Sequence, residues 1–340
     1  MQTITRRSFL RNTSLTGFGI SVMPSLLFAN MPKPVKGKRI GIIGLDTSHA
    51  ISFTKAINSN PADFNDYQIV AAYPFGSQTI ASAAERIPKY TQQVQEFGVK
   101  IVNSITELLR QTDVILLETN DGRMHLSQAL QVINAGKPLF IDKPIAASLL
   151  DANKIFKAAS EKGVPVFSSS SLRYMPNVEK VVEGNYGKVL HANTYSPATM
   201  EPTHPDLYWY GIHGVETLFT VMGPRCESLV RVSTDKTDVV TGIWDGDRIG
   251  TFTGFRNNRT DFGGTCFCEK GAIELGPYTG YTPLLNKIIE FFSSGVAPVS
   301  PVETMQILAF MDAADESKKW GSRRINLKDI YKKSGLPFPF

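Results

Sequence analysis

The sequence predicts an α/β fold, with an N-terminal doubly wound parallel sheet followed by a C-terminal α+β domain whose open sheet is largely antiparallel. The chain has 340 residues, of which 42% are hydrophobic and 20% charged, and this size and composition suit two globular domains. Short apolar runs alternate with helical patterns up to about residue 170, which indicates parallel strands joined by right-handed crossovers. Beyond residue 173, apolar and polar residues alternate along successive strands, as in an antiparallel sheet with one covered face.

The first half is predicted to contain strands that are short apolar runs bounded by glycine or polar residues, with helices between them. One of these helices ends at Gly136, which is a natural C-cap. The predicted strands span residues 39–44, 68–73, 99–103, 113–117, 138–142 and 164–168. The predicted helices span residues 50–58, 79–86, 105–110, 124–135 and 148–162. We place this first domain at residues 38–172.

The second half, residues 173–340, begins with a predicted linking helix at 175–183. The dipeptide Asp245-Gly246 between two apolar runs indicates a hairpin. The predicted strands span residues 187–195, 227–234, 238–244, 248–255 and 265–275, and amphipathic helices follow at 284–293 and 302–319.

The N-terminus carries the pattern of a twin-arginine signal peptide. Arg6 and Arg7 precede Phe9-Leu10 and a moderately apolar stretch at residues 15–28. We therefore expect residues 1–30 to direct export to the periplasm, residues 31–37 to form a linker, and the mature chain to have no stable membrane insertion. A basic amphipathic helix or a retained anchor is the alternative interpretation.

Charge and cysteine content exclude two other classes of protein. The net charge is +5, from 36 basic and 31 acidic residues. Without the arginines of the first 30 residues, 33 basic residues remain and the charge is +2, which gives no electrostatic reason for a nucleic-acid partner. Cys226, Cys266 and Cys268 are too few for a disulfide framework, and we interpret them as small buried hydrophobic residues.

Four stretches, taken in order and spacing, resemble the Gfo/Idh/MocA oxidoreductase family. They are residues 39–44, residues 119–125, the Ala-Gly-Lys to Asp-Lys-Pro segment at 135–144, and the segment at 211–216 around His213. The resemblance implies a Rossmann-like dinucleotide-binding domain, NAD or NADP as cofactor, and a small carbohydrate substrate. It also implies a homo-oligomer that forms through the C-terminal sheet.

The segment from Gly44 to His49 stands where the family has its glycine-rich loop. The resemblance implies cofactor contacts for Gly44, Asp46, Thr47, Ser48 and His49, although Asp46 and His49 replace two of the glycines. Thr47 and Ser48 offer hydroxyls at a helix N-terminus whose free N–H groups favour anions, whereas capping of the helix by Asp46 or Thr47 is the alternative interpretation. No acid follows the second strand, so the sequence does not discriminate between NAD and NADP.

Lys143 and His213 are the candidate catalytic residues. Lys143 follows an apolar strand, which places it at the carboxyl edge of the sheet where ligands of such folds bind. The resemblance implies that Lys143 lies near cofactor and substrate, and that His213 exchanges a proton with the substrate hydroxyl. Glu216, one helical turn further on, could orient the imidazole ring, and Tyr210 is expected to contact the substrate.

Further candidates concern the cofactor and a metal. Asn120, His125 and Arg173 are predicted to contact the cofactor, and a structural ion pair is the alternative for Arg173. The primary expectation is that the site holds no metal. A divalent ion bound by His204, Asp206 and His213 is a weaker alternative.

These features predict an exported NAD(P)-dependent oxidoreductase that acts on a sugar, polyol or glycoside hydroxyl and holds its cofactor tightly. Asp46 in the loop and the missing acid after the second strand leave two alternatives open. One is a non-redox lyase or hydrolase of oxidised glycosides, with or without a metal. The other is a non-catalytic sugar-binding protein.

Overall fold

The computed structural model describes residues 37–256 and 261–340. The predicted signal peptide (residues 1–30) and linker residues 31–36 lie outside the described residues. Within the described part of the chain, no helix combines the length and apolarity that a bilayer-spanning segment needs.

The first sheet, here sheet A, consists of parallel strands in the order β3-β2-β1-β4-β5-β6. The strands are β1 (Arg39–Ile43), β2 (Gln68–Tyr73), β3 (Lys100–Ile101), β4 (Val114–Leu117), β5 (Leu139–Ile141) and β6 (Val166–Ser168). The direction of winding reverses between β1 and β4. A ligand crevice is therefore expected at the carboxyl ends of these two strands.

Helices connect the strands of sheet A, and several begin at a side-chain cap. They are α1 (Ser48–Ser59), α2 (Ala81–Ala84), α3 (Ile87–Gln95), α4 (Ile105–Gln111), α5 (Gly122–Asn134) and α6 (Leu149–Lys162). Ser104 and Ser148 each accept a hydrogen bond from the backbone three residues on, which fixes the starts of α4 and α6. The prediction of one helix over residues 79–86 is wrong. That segment forms only the short α2, and α3 begins at Ile87 because Pro88 is favourable in the first turn of a helix.

The second sheet, sheet B, has the order β12-β11-β7-β10-β9-β8-β13. Its strands are β7 (Val189–Pro197), β8 (Cys226–Ser233), β9 (Thr237–Trp244), β10 (Arg248–Phe255), β11 (Gly263–Cys268), β12 (Gly271–Glu274) and β13 (Ile325–Asn326). All neighbours are antiparallel except β7 and β10. The hairpin at Asp245-Gly246 is confirmed, and Gly246 has a φ of 68°. The single strand predicted over 265–275 is wrong, because the chain turns at Glu269-Lys270 and β12 pairs back onto β11.

The remaining helices cover both sheets. They are α7 (Pro176–Val182), α8 (Ile212–Met222), α9 (Thr282–Ser294), α10 (Pro301–Lys319) and α11 (Leu327–Lys333). Helices α8 and α10 pack on one face of sheet B, whereas α9 packs on sheet A, where Phe291 lies edge-on to Phe167 at 4.7 Å. A helix from the C-terminal half thus covers one face of the parallel sheet. The predicted α/β fold class is confirmed.

Candidate active site

A cavity of about 360 Å³ lies at the carboxyl edge of sheet A and faces the start of α8. Its wall is formed by loops and helix starts from both halves of the chain. They are Thr47, Ser48, His49, Ser82, Arg86, Asn120, Lys143, Ser171, Leu172, Thr199, Trp209, Tyr210, His213, Phe262, Tyr278 and Tyr281. The predicted residues Thr47, Ser48, His49, Asn120, Lys143, Tyr210 and His213 are among them.

The loop after β1 brings the N-terminus of α1 into the cavity wall. Gly44 has a φ of 88°, and a Cβ at this position would lie 2.5 Å from the backbone nitrogen of Thr119, so only glycine fits. Thr47 caps α1 by accepting a hydrogen bond from the backbone N–H of His49 at 3.3 Å. Thr47 and Ser48 line the cavity, and the unpaired N–H groups of the first helical turn favour an anion there.

Asp46 does not line the cavity, although a cofactor contact was predicted for it. Its carboxylate is fully buried and accepts hydrogen bonds from the backbone N–H groups of Ser77 (2.6 Å) and Asn120 (3.0 Å). Burial outweighs these hydrogen bonds and raises the pKa of Asp46 above its usual value. Asp46 therefore joins the loops that follow β1, β2 and β4, and its charge is turned away from the cavity. It does not cap α1.

His49 lies above two buried carboxylates that the sequence analysis did not combine with it. Its Nδ1 atom is 3.1 Å from Oδ2 of Asp142 and 3.8 Å from Oε2 of Glu118. Glu118 directly follows β4 and Asp142 directly follows β5, so the parallel strands bring both to the same edge. Burial raises the pKa of Glu118 well above its usual value, and Asp142 raises it further. Burial also raises the pKa of Asp142, but His49 and Lys143 outweigh burial and hold this pKa below its usual value.

Lys143 enters the cavity from the loop after β5. Its side chain is 10% exposed, and its Nζ atom lies 4.0 Å from Oδ2 of Asp142. Pro144 follows it through a cis peptide bond. The structure therefore places an ammonium group at the carboxyl edge of sheet A, as the sequence predicts.

His213 approaches the same cavity from the first turn of α8. Its Nδ1 atom lies 2.7 Å from the hydroxyl oxygen of Ser170, and its ring stands edge-on to Tyr210 at 5.6 Å and to Phe262 at 5.5 Å. Burial, together with the nearby Lys143, lowers the pKa of His213 well below its usual value. The imidazole is consequently neutral near neutral pH and can accept a proton.

Glu216 supports His213 indirectly. The predicted direct contact with the imidazole ring is wrong, because Oε1 of Glu216 accepts hydrogen bonds from the backbone N–H of Ser170 (2.9 Å) and the hydroxyl of Ser169 (3.0 Å). Ser170 in turn holds the ring of His213. The substrate contact predicted for Glu216 is likewise not seen, because this residue is buried behind the cavity wall. Sequence reasoning missed Ser170, although a run of four serines at 168–171 directly after an apolar strand was a usable signal.

Arg173 and His125 do not line the cavity either. Arg173 is buried and forms ion pairs with Glu216 (3.0 Å) and Glu303 (2.6 Å), so the ion-pair alternative describes it. Burial lowers the pKa of Arg173, but the two carboxylates raise it above its usual value. The ring of His125 lies 2.6 Å from the carbonyl oxygen of Thr119 and 3.0 Å from that of Pro144. His125 thus links the loops after β4 and β5 and lies outside the cavity lining.

The weaker metal alternative, a site built from His204, Asp206 and His213, is wrong. Nε2 of His204 lies 3.5 Å from Oδ1 of Asp121, and Asp206 is paired with Arg231 at 2.8 Å. His204, Asp206 and His213 therefore contact Asp121, Arg231 and Ser170, respectively, and not one another. Among the described residues, the His/Cys/Asp/Glu group with ligand atoms close enough to hold an ion is instead His49, Glu118 and Asp142.

Aromatic side chains from the C-terminal half form another part of the wall. Tyr281 packs edge-on against His49 at 4.7 Å, and Tyr278 lies 6.1 Å from both Tyr281 and Phe262. These three residues could not be predicted from the sequence, because they come from loops that only the fold brings to the cavity. Aromatic faces can pack against the apolar face of a ring-shaped ligand.

Comparison with known proteins finds a family model that matches the first part of the chain. Residues 38–170 match the Gfo/Idh/MocA family model, described as an oxidoreductase family with an NAD-binding Rossmann fold. The matched segment is the Rossmann-like part of the chain, 133 of its 340 residues. Over this segment the match agrees with the predicted resemblance and with a nicotinamide cofactor.

Curated relatives match over limited segments. The chain is 30% identical over 129 residues to 1,5-anhydro-D-fructose reductase of Ensifer adhaerens, a segment that covers 36% of this chain and 38% of the reductase. It is 25% identical over 196 residues to inositol 2-dehydrogenase 3 of Saccharopolyspora erythraea, covering 53% of this chain and 52% of that enzyme. These matches span about half of the relatives' length or less.

Solved structures of the same fold match over most of their length. A probable dehydrogenase from Thermotoga maritima has a TM-score of 0.71 at 18% identity, with 86% of this chain and 99% of that chain covered. The scyllo-inositol dehydrogenase from Lactobacillus casei, solved with NAD(H) and scyllo-inositol, has a TM-score of 0.69 at 13% identity, with 86% and 99% covered. At these identities the likeness shows the fold.

The residues of the Rossmann part fit a nicotinamide dinucleotide. Gly44 allows the tight turn, the N-terminus of α1 is open to the cavity, and Asp46 keeps its charge beneath the loop. Thr47, Ser48 and Asn120 would hold the pyrophosphate and ribose, and Lys143 would lie beside the nicotinamide. The loop after β2 offers no acid for the adenosine ribose.

Proposed function

We propose that this protein is a NAD(P)-dependent oxidoreductase that acts on a hydroxyl group of a sugar, polyol or glycoside. One observation carries the proposal: Lys143 from sheet A and His213 from α8 line one cavity, together with the open N-terminus of α1. A bound nicotinamide dinucleotide would supply the hydride acceptor. The names of the curated relatives, a reductase of an anhydro sugar and an inositol dehydrogenase, support the substrate class.

His213 is the proton acceptor in this proposal. When Nδ1 carries the ring hydrogen and donates it to Ser170, Nε2 is left as an unprotonated base that faces the substrate hydroxyl. The lowered pKa of His213 keeps this form populated near neutral pH. Lys143, whose ammonium group is a compact point charge, stabilises the alkoxide that develops as the proton leaves.

The aromatic wall orients the substrate. Trp209 and Tyr210 lie beside His213 in the cavity lining, where an aromatic face can pack against the C–H groups of a sugar ring. Tyr210 is 39% exposed, so part of its ring remains available to a ligand. This arrangement would present a ring hydroxyl to His213 and Lys143.

The test is a screen of sugars, polyols and glycosides with NAD⁺ and NADP⁺, in which turnover is measured as the formation of reduced dinucleotide. The proposal expects turnover that is lost in Lys143→Met and in His213→Asn, while both variants remain folded by circular dichroism. Trp320→Phe, a substitution at an exposed aromatic residue outside the cavity lining, is the control and should retain full turnover. Turnover that needs no dinucleotide would instead favour the non-redox lyase or hydrolase, and ligand binding without turnover would favour a sugar-binding protein.

Export and cofactor retention form a second part of the proposal. The arginine pair Arg6-Arg7 supports export in the folded state, and an exported enzyme has no access to cytosolic dinucleotide pools. The cofactor would therefore stay bound and be recycled within the site. Denatured periplasmic protein should release a dinucleotide detectable by mass spectrometry, and a double substitution of Arg6 and Arg7 by lysine should leave the protein in the cytoplasm. Unchanged periplasmic yield in that variant would contradict the export route.

We also propose a domain boundary at residues 172–173 and a homo-oligomer that forms through the outer face of sheet B. Exposed apolar side chains on this face support the oligomer, and they are Leu190, Tyr195, Val232, Val239, Ile249 and Phe267. Light scattering after gel filtration should show a mass above one chain, and Val239→Lys with Ile249→Lys should reduce it to one chain. A monomeric wild-type protein would contradict this part.

A further inference from the structure

The group formed by His49, Glu118 and Asp142 has no role in the proposed reaction. One nitrogen of His49 and one oxygen of each carboxylate all lie within 4.8 Å of one another. Glu118 has no exposed surface and Asp142 is 1% exposed. Glu118 directly follows β4, Asp142 directly follows β5, and His49 lies in the first turn of α1. Three connections at the carboxyl edge of sheet A therefore meet at this group.

The carboxylate of Glu118 is the least satisfied part of the group. Neither of its side-chain oxygens receives a hydrogen bond from any residue that the structure describes, and both have negligible exposure to solvent. The oxygens of Asp142 approach His49 and Lys143 only as ion pairs, at 3.1 and 4.0 Å. A buried carboxylate without a partner is strongly unfavourable, so such groups are normally paired or bound to a metal.

The charges of the surrounding residues do not neutralise the group. Glu118 and Asp142 carry two negative charges when ionised, and buried Asp46 is close enough to raise the pKa of Glu118 further. Among the described residues, Lys143 is a nearby cation whose charge lowers the pKa of both Glu118 and Asp142. The single positive charge of Lys143 does not balance two ionised carboxylates in this water-excluded position.

We propose that His49, Glu118 and Asp142 bind a divalent first-row transition ion, of the Mn²⁺ to Zn²⁺ series, beneath the floor of the cavity. One imidazole nitrogen with two carboxylates is a ligand set that such ions accept. Ca²⁺ is disfavoured, because it takes six to eight oxygen ligands and this group supplies a nitrogen and few oxygens.

The surroundings of His49 prepare it as a ligand. Its ring stacks on Phe53 at 5.4 Å and meets the edge of Tyr281 at 4.7 Å, which fixes the ring with Nδ1 towards the carboxylates. His49 itself lines the cavity, so an ion held here would keep coordination positions for water or a ligand on that side. The site is distinct from the weaker alternative at His204 and Asp206.

The test uses tag-free protein that has been dialysed against a chelator, exposed separately to Mn²⁺, Co²⁺ and Zn²⁺ without dinucleotide, and freed of unbound metal by gel filtration. Elemental analysis should find about one ion per chain for at least one of the metals, and Co²⁺ should give visible absorption bands of a nitrogen- and oxygen-bound ion. Glu118→Gln should weaken Co²⁺ binding by about a hundredfold or more, since it removes a direct ligand. His49→Gln should remove or change the Co²⁺ spectrum.

Asp312→Asn is the matched control, because it replaces another poorly exposed carboxylate, held by the hydroxyl of Tyr208 at 2.8 Å outside the group. It should bind metal as the wild type does. The proposal is overturned if the wild-type protein retains none of the three metals. It is also overturned if Glu118→Gln retains the metal, or if the control loses it equally. If the wild type retains no metal and Glu118→Gln has a higher melting temperature than the wild type, Glu118 is simply protonated.

Discussion

Replacing Glu216 by glutamine tests the buried support beneath His213. Oε1 of Glu216 accepts hydrogen bonds from Ser170 and Ser169 and pairs with Nε of Arg173 at 3.0 Å, where the two charged side chains are 5% and 9% exposed. Removing one partner of a buried ion pair typically costs about 3–5 kcal/mol. The amide oxygen can still accept a hydrogen bond and Arg173 keeps Glu303, so we expect the lower end, about 3 kcal/mol.

The assay is urea unfolding followed by circular dichroism. Glu216→Gln should lower the free energy of unfolding by about 3 kcal/mol and move the midpoint to lower urea. The control is Glu161→Gln on α6, whose side chain is 63% exposed, and it should stay within about 0.5 kcal/mol of wild type. If Glu216→Gln unfolds with the wild-type free energy, the buried network does not support this region as we describe.

Three further predictions concern other positions. Ser170→Ala should lower kcat about tenfold and move the acid limb of the pH–rate profile to lower pH. The reason is that the protonated ring of His213 loses a hydrogen-bond acceptor, which lowers the pKa of the ring further. An unchanged profile would contradict this role of Ser170. Gly76→Ala should lower the free energy of unfolding by about 1–3 kcal/mol in thermal denaturation, because the new Cβ would lie 2.4 Å from Oδ2 of Asp46. Wild-type stability of this variant would show that the loops shift freely. Burial raises the pKa of Asp312 to about 6, above an ordinary value near 4. Between these pH values the folded state binds more protons than the unfolded state, so the unfolding free energy of the wild type falls as pH rises; Asp312→Asn should show a smaller fall, and equal slopes would refute the assignment.

The sequence predicted those site residues whose position depends on local pattern. Lys143 follows an apolar strand and precedes a proline, and Gly44 ends an apolar strand, so both could be placed at the carboxyl edge of the parallel sheet. His213 was identified from the family pattern around it. In each case the neighbouring residues along the chain carried the information.

Contacts between distant segments could not be predicted in the same way. Glu118 lies 69 positions after His49 along the chain, and only the parallel pairing of β1 with β4 brings them together. The ion-pair alternative for Arg173 could not be decided from the sequence, because its partners Glu216 and Glu303 lie on α8 and α10, far along the chain. The short turn between β11 and β12 was missed because apolar residues continue on both sides of it.

The most direct test of the account is calorimetric titration of dinucleotide-free protein with NAD⁺ and NADP⁺. The account predicts one site per chain for at least one of them, weakened tenfold or more in Ser48→Glu, because a carboxylate at the start of α1 would repel phosphate by about 1–4 kcal/mol. Ser127→Glu, on the exposed surface of α5, should bind as the wild type does. The absence of binding by both dinucleotides, or equal affinity of Ser48→Glu and wild type, would contradict the central claim.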